Sequence, residues 1–385
     1  MRQDCWSVKG TFTPKSGLLI HPEPVLHLDA LDALPITELR QVESIAADLS
    51  WLLKTRRLRP TIEDLPVIDL SPLEPHLDSI DSRLLARLMQ IYGFLASAYV
   101  HTPEELDAHH LPAGVAVPLA QLGAWLERPP ILAYCDYVLS NWQRINDADA
   151  ITVDNLTPIQ NFIGGKDESW FILTHADIEA RAAEALNGLL NAAMNVENGS
   201  ETLELFLNLI PPSIDAMIAS FNRMTEGCDP EVYYQQVRPY NFGFTDVIYE
   251  GVAAFDGKPQ NFRGQSGAQS SVIPALVAGL GIEHEANSMT HHLEVMHAYM
   301  PKPHRDFITQ MKSAGIREAV IKANSPSLSE TYNECLRKVL AFRQQHLHFV
   351  GLYVAQRVTN PLGTGGTVFM DWLSQMADET ERQMI

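Results

Sequence analysis

Basic residues are scarce in this 385-residue chain, which has 28 Lys and Arg against 47 Asp and Glu and a formal net charge of −19. A negative field of this size repels a phosphate backbone and an anionic lipid surface, so neither nucleic acid nor membrane is expected as a partner. An anionic ligand would have to be held by a local cation against the global field. Buried arginines are therefore the first residues to locate.

Cysteine is also sparse, and the four residues form no CxxC pair, which excludes a sequence-local zinc knuckle and gives no sign of a disulfide framework. The first residues, MRQDCWSVKG, lack an apolar signal core. The longest apolar stretches, such as Met89–Val100, fall short of the ~20 residues that span a bilayer. We therefore expect a soluble protein of the reducing cytoplasm.

Alternating strand patterns are scarce and no internal repeat is visible, whereas apolar residues recur at helical spacing through most of the chain. The predicted helical segments are 37–55, 81–100, 118–127, 130–144, 171–195, 200–225, 230–238, 270–281, 289–299, 306–314 and 327–358. A polar, Gly-containing stretch, Ile145–Ser169, is the candidate connection between two domains, the number this length suggests at ~100–200 residues each. The pattern predicts an all-α fold.

The longest predicted helix follows Ser327, which has the S-x-x-E spacing of a capping box with Glu330. A single stripe recurs along it at steps of three and four and comprises Leu328, Tyr332, Cys335, Val339, Phe342, His346, Phe349 and Tyr353. His346 stands where a core residue should be apolar, while His348 should point elsewhere. The helix therefore presents one imidazole to the interior of the protein.

Two interpretations of His346 are open from spacing alone. A core histidine bonded to a backbone carbonyl is the commoner case. Arg343 lies three residues earlier, on the same flank of the helix. An apolar pocket with an imidazole for iron and an arginine for propionates is what haem b requires, so the spacing suggests a haem site.

Other segments make the haem interpretation specific. They read VAVP at 115–118, PPILAY at 129–134, FRGQSGAQSS at 262–271, MPKPHRDF at 300–307, FRQQHLH at 342–348 and LGTGGT at 362–367. In order and spacing they closely resemble the indoleamine 2,3-dioxygenase family, from about residue 16 to residue 385. Each motif alone is weak, but together they are hard to obtain by chance.

The resemblance implies a fold and an activity. The expected fold has a small helical domain at 1–150, a connecting loop at 151–169, and a large helical domain at 170–385 that encloses haem b. The expected reaction opens the indole ring of L-tryptophan, or a close analogue, by inserting both atoms of O2 to give N-formylkynurenine. The resemblance also implies an electron donor that keeps the haem iron ferrous.

The resemblance assigns His346 as the proximal iron ligand, Arg343 as the propionate partner and Arg238 as the ligand of the substrate carboxylate. A planar guanidinium suits that task because it binds a carboxylate through two hydrogen bonds and stays charged. The remaining pocket residues it implies are Tyr134, Tyr137 and Val138 on the floor, Trp170, Phe171 and Thr174 on a wall, and the aromatics Tyr233 and Tyr234. Ser266 and Gly267 would approach the haem and substrate, and Thr364 would lie in a mobile GTGGT lid.

Several residues depart from the family's common pattern. Val277 stands where an acidic partner of the propionate-side arginine is sometimes found, and Tyr137 replaces a smaller residue. His175 adjoins Thr174 and could accept the indole N–H, although a histidine on the helix surface is the plainer interpretation. No acid–base dyad is visible in the sequence.

Two rival metal sites and two rival functions stay open. His and Glu residues between His284 and His297 could build a non-haem iron site, although a solvated helix face fits them better. His304 is the main rival to His346 for the iron. The alternative functions are a non-catalytic O2-binding haem protein of the same fold and a relative that acts on a substituted tryptophan.

Overall fold

The computed structural model describes residues 17–19, 23–26, 28, 36–354 and 370–385. The described residues are mostly helical, which confirms the predicted all-α class. The helices are α1 Leu39–Ala47, α2 Leu49–Lys54, α3 Leu58–Glu63, α4 Ser82–Val100, α5 Ala113–Trp125, α6 Lys166–Arg181, α7 Ala183–Met194, α8 Ser200–Leu207, α9 Ile210–Asn222, α10 Met224–Gly227, α11 Pro230–Val232, α12 Val272–Gly279, α13 Ser288–His297, α14 Lys302–Met311, α15 Ile316–Ala323, α16 Pro326–Tyr353 and α17 Met370–Glu381.

Short strands connect distant parts of the described chain. They are β1 His110–Leu111, β2 Gln143–Arg144, β3 Leu156–Thr157, β4 Phe244–Tyr249 and β5 Gln260–Phe262. β4 lies between β1, to which it is parallel, and β5, to which it is antiparallel, while β2 pairs with β3. The β1–β4 pairing joins the two halves of the sequence.

Two apolar clusters form the interior. The first is built mainly from residues before 181, and it also takes in Tyr240, Phe244, Val247 and Tyr249 around β4. The second is built from residues 178–353 together with Leu18. Ile163, Trp170 and Phe171 touch both clusters. The division into domains at 1–150 and 170–385 stays a prediction, and the segment around β4 contributes to the first cluster from the second half of the chain.

Several predicted helices differ from the structure. Within residues 130–144 the helical part is a short π-helical turn, Cys135–Leu139, and Gln143–Arg144 forms β2. In the turn, the buried Asp136 carboxylate pairs with Arg128 and accepts the Ala133 N–H. The predicted helix 171–195 begins earlier and breaks at Ala182 into α6 and α7. The stretch Ser200–Gly227 divides into α8, α9 and α10. By length and composition alone this stretch could cross a membrane, a test that core helices of soluble proteins also pass.

The 28-residue helix α16 carries the predicted stripe. Its N-cap is Ser325, whose side chain accepts the Leu328 N–H, and not Ser327, whose hydroxyl instead donates to Glu204. The stripe residues Leu328, Tyr332, Cys335, Val339, Phe349 and Tyr353 are buried. Phe342 and His346 are half-buried because they face a cavity. His348 is exposed, as the spacing predicts.

Candidate functional site

A cavity of about 1310 Å³ lies against the second apolar cluster and is lined mainly by residues of the second half of the described chain. It exceeds the ~300–1,000 Å³ of most small-molecule pockets, so it has room for a large cofactor together with a small substrate. The predicted site residues that line it are Tyr134, Phe171, His175, Tyr233, Arg238, Ser266, Gly267, Arg343 and His346. They come from distant parts of the sequence and meet around one space.

His346 projects into this cavity from α16. Its ring lies 6.1 Å from that of Phe221, which stacks at 4.6 Å on Phe349, so apolar rings surround the imidazole. Burial lowers the pKa of His346 to about 4. Among the described residues, no hydrogen bond holds either ring nitrogen. A neutral imidazole with an available nitrogen in a cavity is the form that binds a metal.

His175 faces the same cavity from α6. Its Nδ1–H donates to the Phe171 carbonyl oxygen one turn earlier, at 2.8 Å. Because a carbonyl can only accept, Nδ1 carries the proton and Nε2 is left as an acceptor. Burial, and to a smaller degree the nearby His346, lowers the pKa of His175 to about 4, so the ring is neutral. The cavity therefore contains two uncharged imidazoles on different helices.

The face of α6 that meets the cavity differs from the predicted wall. Phe171, His175, Ile178 and Glu179 lie on the cavity side, at helical spacing. Trp170 points away: its indole N–H donates to the Arg223 carbonyl oxygen and its ring packs on Gly227, where a Cβ would come within 2.3 Å. Thr174 is fully buried in the helix interface, outside the lining. Trp170 lies one residue before Phe171, and Thr174 lies one residue before His175. These two predicted wall residues are therefore one position away from the residues that line the cavity.

Glu179 is a cavity residue that the sequence interpretation missed. Its Oε1 accepts hydrogen bonds from the Tyr134 hydroxyl at 3.0 Å and the Ser270 hydroxyl at 2.6 Å, while Oε2 has no partner in the described part of the chain. Burial raises the pKa of Glu179 to about 7, against the lowering effect of these two hydroxyls. Its position four residues after His175 is the signal that could have identified it.

Tyr134 enters the cavity from the first half of the chain. Its backbone N–H donates to Gln269 Oε1 at 2.8 Å, and the Gln269 amide donates to the Gly264 carbonyl oxygen. Gln269 is fully buried, so this bridge fixes the Ser266 turn beside Tyr134. A Cβ built on Gly267 would meet nothing within 4 Å, which shows that this turn borders open space.

Tyr137 and Val138 lie behind the lining and do not reach the cavity. Both are fully buried in the first cluster, and the Tyr137 ring stacks on Phe94 at 5.7 Å and Phe162 at 6.1 Å. Because the chain turns as a short π-helix at Cys135–Leu139, only Tyr134 of the three predicted floor residues points into the space.

The opposite wall is aromatic and carries the arginine. Tyr233 stacks on Phe171 at 4.3 Å and lies in a π-helical turn, Tyr233–Val237, a geometry that is frequent at functional sites. Arg238 follows that turn, is 4% exposed, and lies 5.1 Å over the Tyr234 ring and 4.7 Å over the Phe242 ring. Burial lowers the pKa of Arg238, but a guanidinium stays charged in proteins. Tyr234 supports the arginine and does not line the cavity.

Arg343 lies at the cavity edge, 6% exposed, and donates to His284 Nε2, Thr380 Oγ1 and the Met376 carbonyl oxygen. These contacts fix its guanidinium between α16 and α17. Burial lowers the pKa of Arg343 to about 10, so it is a cation at neutral pH.

The rival metal sites are not assembled in the described part of the chain, where no cluster of three or more His, Cys, Asp or Glu side chains could hold a metal. His291 and Glu294 are exposed on α13. His304 is buried outside the cavity, within 3.2 Å of the Ser271 hydroxyl, which matches a structural role. Thr364 and the GTGGT loop lie outside the described residues.

The fold is mostly helical and surrounds a large cavity with neutral imidazoles, a buried guanidinium and an aromatic wall. This is the arrangement of a helical protein with space for a large cofactor and a cation that suits an anionic ligand. The family model of indoleamine 2,3-dioxygenase matches residues 23–361. Indoleamine 2,3-dioxygenase 1 of Rattus norvegicus is 31% identical, over 89% of this chain and 88% of its own. The indoleamine 2,3-dioxygenase of Saccharomyces cerevisiae is 30% identical over 91% and 89%, and a 6-hydroxytryptophan 2,3-dioxygenase of Fusarium equiseti is 28% identical over 83% and 80%.

The chain belongs to the indoleamine 2,3-dioxygenase family and is a dioxygenase, an enzyme of the oxidoreductase class. Members of this family depend on haem. The residues of the cavity fit such a group: His346 offers an unengaged ring nitrogen, Gly267 leaves space where a side chain would intrude, and Arg343 provides a cation at the edge for propionates.

Proposed function

We propose that this protein opens the indole ring of L-tryptophan, or of a closely related indole, with O2 to give N-formylkynurenine. His346 would bind the iron of haem b, and Arg343 would pair with the haem propionates. The observation that carries the proposal is the meeting of His346, Arg238 and an aromatic wall around one cavity.

Bound haem supplies the ferrous iron at which O2 becomes reactive, and a cellular reductant keeps it ferrous. The protein's own part is placement. Arg238 binds the substrate carboxylate, since a fork of N–H groups in a buried site gives two charge-assisted hydrogen bonds. Phe171 and Tyr233, stacked at 4.3 Å, form a flat apolar face for the indole and exclude water from it.

His175 accepts the indole N–H in this proposal. Its Nδ1–H is engaged by the Phe171 carbonyl, which leaves the lone pair of Nε2 as the acceptor on a residue that lines the cavity. The low pKa of the ring keeps that lone pair available at neutral pH. The sequence alone favoured a surface histidine here, and the placement of the side chain now supports the other role.

The test uses the reduced, haem-loaded protein, L-tryptophan and ¹⁸O2, with the product followed by mass spectrometry. We expect a product that carries both labelled atoms. Arg238→Ala should raise KM by about 100-fold, the effect of two hydrogen bonds to a charged group, whereas Arg57→Ala, at an exposed arginine, should not. Bound O2 with intact tryptophan would support the oxygen-binding alternative, and a chain that takes up no haem would refute the proposal.

A substituted tryptophan is the second candidate substrate. Tyr233 brings a hydroxyl to the aromatic wall, and the relative from Fusarium equiseti is named for 6-hydroxytryptophan. The same assay with L-tryptophan and 6-hydroxytryptophan in competition decides between them. A tenfold preference in kcat/KM corresponds to about 1.4 kcal/mol of differential transition-state binding, within reach of a single hydrogen bond.

A further inference from the structure

Arg343 is connected to a buried carboxylate through a histidine. Its Nη2 donates to His284 Nε2 at 2.9 Å, and His284 Nδ1 lies 2.6 Å from Glu379 Oε2. The side chains of His284 and Glu379 are 8% and 4% exposed. The three groups therefore form a largely buried row that runs from α16 through the segment after α12 to α17.

Hydrogen-bonding chemistry determines which atoms of the Arg343–His284–Glu379 row carry protons. A guanidinium can only donate, so His284 Nε2 must be the acceptor and Nδ1 must carry the proton. That proton is donated to Glu379, which is thereby the anionic end. Burial and the adjacent Arg343 lower the pKa of His284, in agreement with a neutral ring. Burial opposes ionisation of Glu379, yet the hydrogen bonds from Gln375 and His284 lower its pKa overall.

The row brings a carboxylate to Arg343 through His284. Val277, which lines the same cavity, carries no charge. A buried guanidinium without an anion is costly, whereas one that is hydrogen-bonded to a polarised histidine is compensated. Glu379 provides this compensation from the other end of the sequence.

α17 is held firmly enough to do so. Gln383 exchanges hydrogen bonds with the backbone of Glu283, next to His284, at 2.8 and 2.6 Å. The Asn333 side chain bonds both the N–H and the carbonyl oxygen of Ile385. The residues that directly follow α17 are therefore fixed to α16 and to the His284 segment at several points beyond Arg343.

We propose that His284 and Glu379 are positioning residues that hold the Arg343 guanidinium at the cofactor site, so that the C-terminal helix α17 is a working part of that site. The inference rests on the proposed function, because it takes the group that Arg343 meets to be a haem propionate. Its specific content is that the anion which orients the arginine comes from α17 through His284.

The first test titrates haem into the apo proteins, with the Soret band as the readout. His284→Ala should weaken haem binding by about 10- to 100-fold, the usual effect of removing an outer-shell partner. The matched control is His291→Ala, at a histidine that is 77% exposed, which should bind as the parent does. Equal affinity of His284→Ala and the parent would overturn the inference. A parent protein that binds no haem would instead refute the proposed function.

The second test is independent of haem, and its decisive observation, the tautomer of His284, is made on the parent protein. Long-range ¹⁵N–¹H NMR of the histidine rings in the parent apo protein should show His284 as the neutral Nδ1–H tautomer, and Glu379→Gln should shift its nitrogen resonances while Glu381→Gln, at an exposed carboxylate on the same helix, should not. An Nε2–H tautomer at His284 would overturn the inference, because that ring could not accept from Arg343.

Discussion

The α6 wall and the α16 wall of the cavity each present one neutral histidine, but they treat it differently. On α6, the Nδ1–H of His175 is fixed to the Phe171 carbonyl, and Glu179 lies one turn further on. On α16, His346 is surrounded by the rings of Phe221, Phe342 and Phe349, and no hydrogen bond among the described residues engages it. The first wall is polar and oriented, and the second is apolar.

This difference indicates a division of roles. A ring with a fixed tautomer and an acid nearby is suited to recognise a substrate N–H, whereas an unengaged ring in an apolar layer is suited to bind a metal. The hydrogen bond of His175 also fits a metal ligand, because metal-binding histidines commonly donate their other N–H to a carbonyl. Substitutions on each wall can therefore sharpen or break the assignment.

The largest effect is expected on the α16 wall. His346→Ala should weaken haem binding by more than about 100-fold, since the loss of an outer-shell partner alone typically costs 10- to 100-fold. The measurement is a haem titration of the apo protein. His348→Ala, at an exposed histidine on the same helix, should leave the affinity unchanged. Tight haem binding by His346→Ala would mean that the α6 wall binds the iron and the α16 wall contacts the substrate.

On the α6 wall, Glu179 should make stability depend on pH. Its pKa is raised to about 7 by burial, so the folded protein keeps a proton that the unfolded chain releases near its ordinary value of 4.5. The contribution of Glu179 to stability is therefore fully present below pH 4.5 and is lost as pH rises through 7, by at most about 3 kcal/mol.

Glu179→Gln should remove this fall while it keeps an oxygen acceptor for Tyr134 and Ser270. Denaturant unfolding of the apo proteins at pH 5 and pH 8 measures the difference. Glu184→Gln, at an exposed carboxylate on α7, is the matched control. If the parent and Glu179→Gln lose stability equally between these two pH values, the carboxyl of Glu179 ionises as a solvent-exposed one does.

His175→Ala should leave haem binding intact and lower kcat/KM for tryptophan by about 10- to 100-fold, because a buried indole N–H without an acceptor costs 1–3 kcal/mol. The specific check is the benzothiophene analogue of tryptophan, which has no N–H. The parent should lose activity on this analogue, and His175→Ala should lose little more. An equal further loss with both substrates would mean that His175 only packs against the pocket.

The smallest effect is expected at Thr174, the residue before His175 on α6. Thr174→Val should change KM for tryptophan by less than about twofold, because Thr174 is buried beside the cavity lining and its Oγ1 has no partner in the described chain. Valine has nearly the same shape and removes only the unsatisfied hydroxyl, so stability should not fall. A tenfold rise in KM would place Thr174 on the substrate wall after all.

The α16 stripe was predictable from sequence because a long amphipathic helix repeats one simple pattern. Eight residues at steps of three and four fixed which side faces inward, and the structure buries that side. The N-cap was misassigned by two residues, since Ser325 and Ser327 have equally suitable side chains and Pro326 between them favours the first helical turn. The helix itself was predictable, whereas its first residue depended on which of the two serines forms the N-cap.

The α6 wall was less predictable. The rotation of a helix about its axis is set by what packs on its far side, here the contact of Trp170 with Gly227, some 57 positions away in sequence. The sequence could not rank Trp170 and Thr174 against Phe171 and His175 without that contact. The Arg343–His284–Glu379 row could not be predicted from the sequence for the same reason. Its members lie on three separate segments that only the folded chain brings together.

The central claim is that the iron is bound by His346 and that His175 serves the substrate. Resonance Raman spectra of the ferrous, haem-loaded protein report the iron–histidine bond directly, in the parent, His346→Ala and His175→Ala. We predict an iron–histidine stretching band in the parent and in His175→Ala and its loss in His346→Ala. A band that survives in His346→Ala and disappears in His175→Ala would contradict the account and assign the iron to the α6 wall.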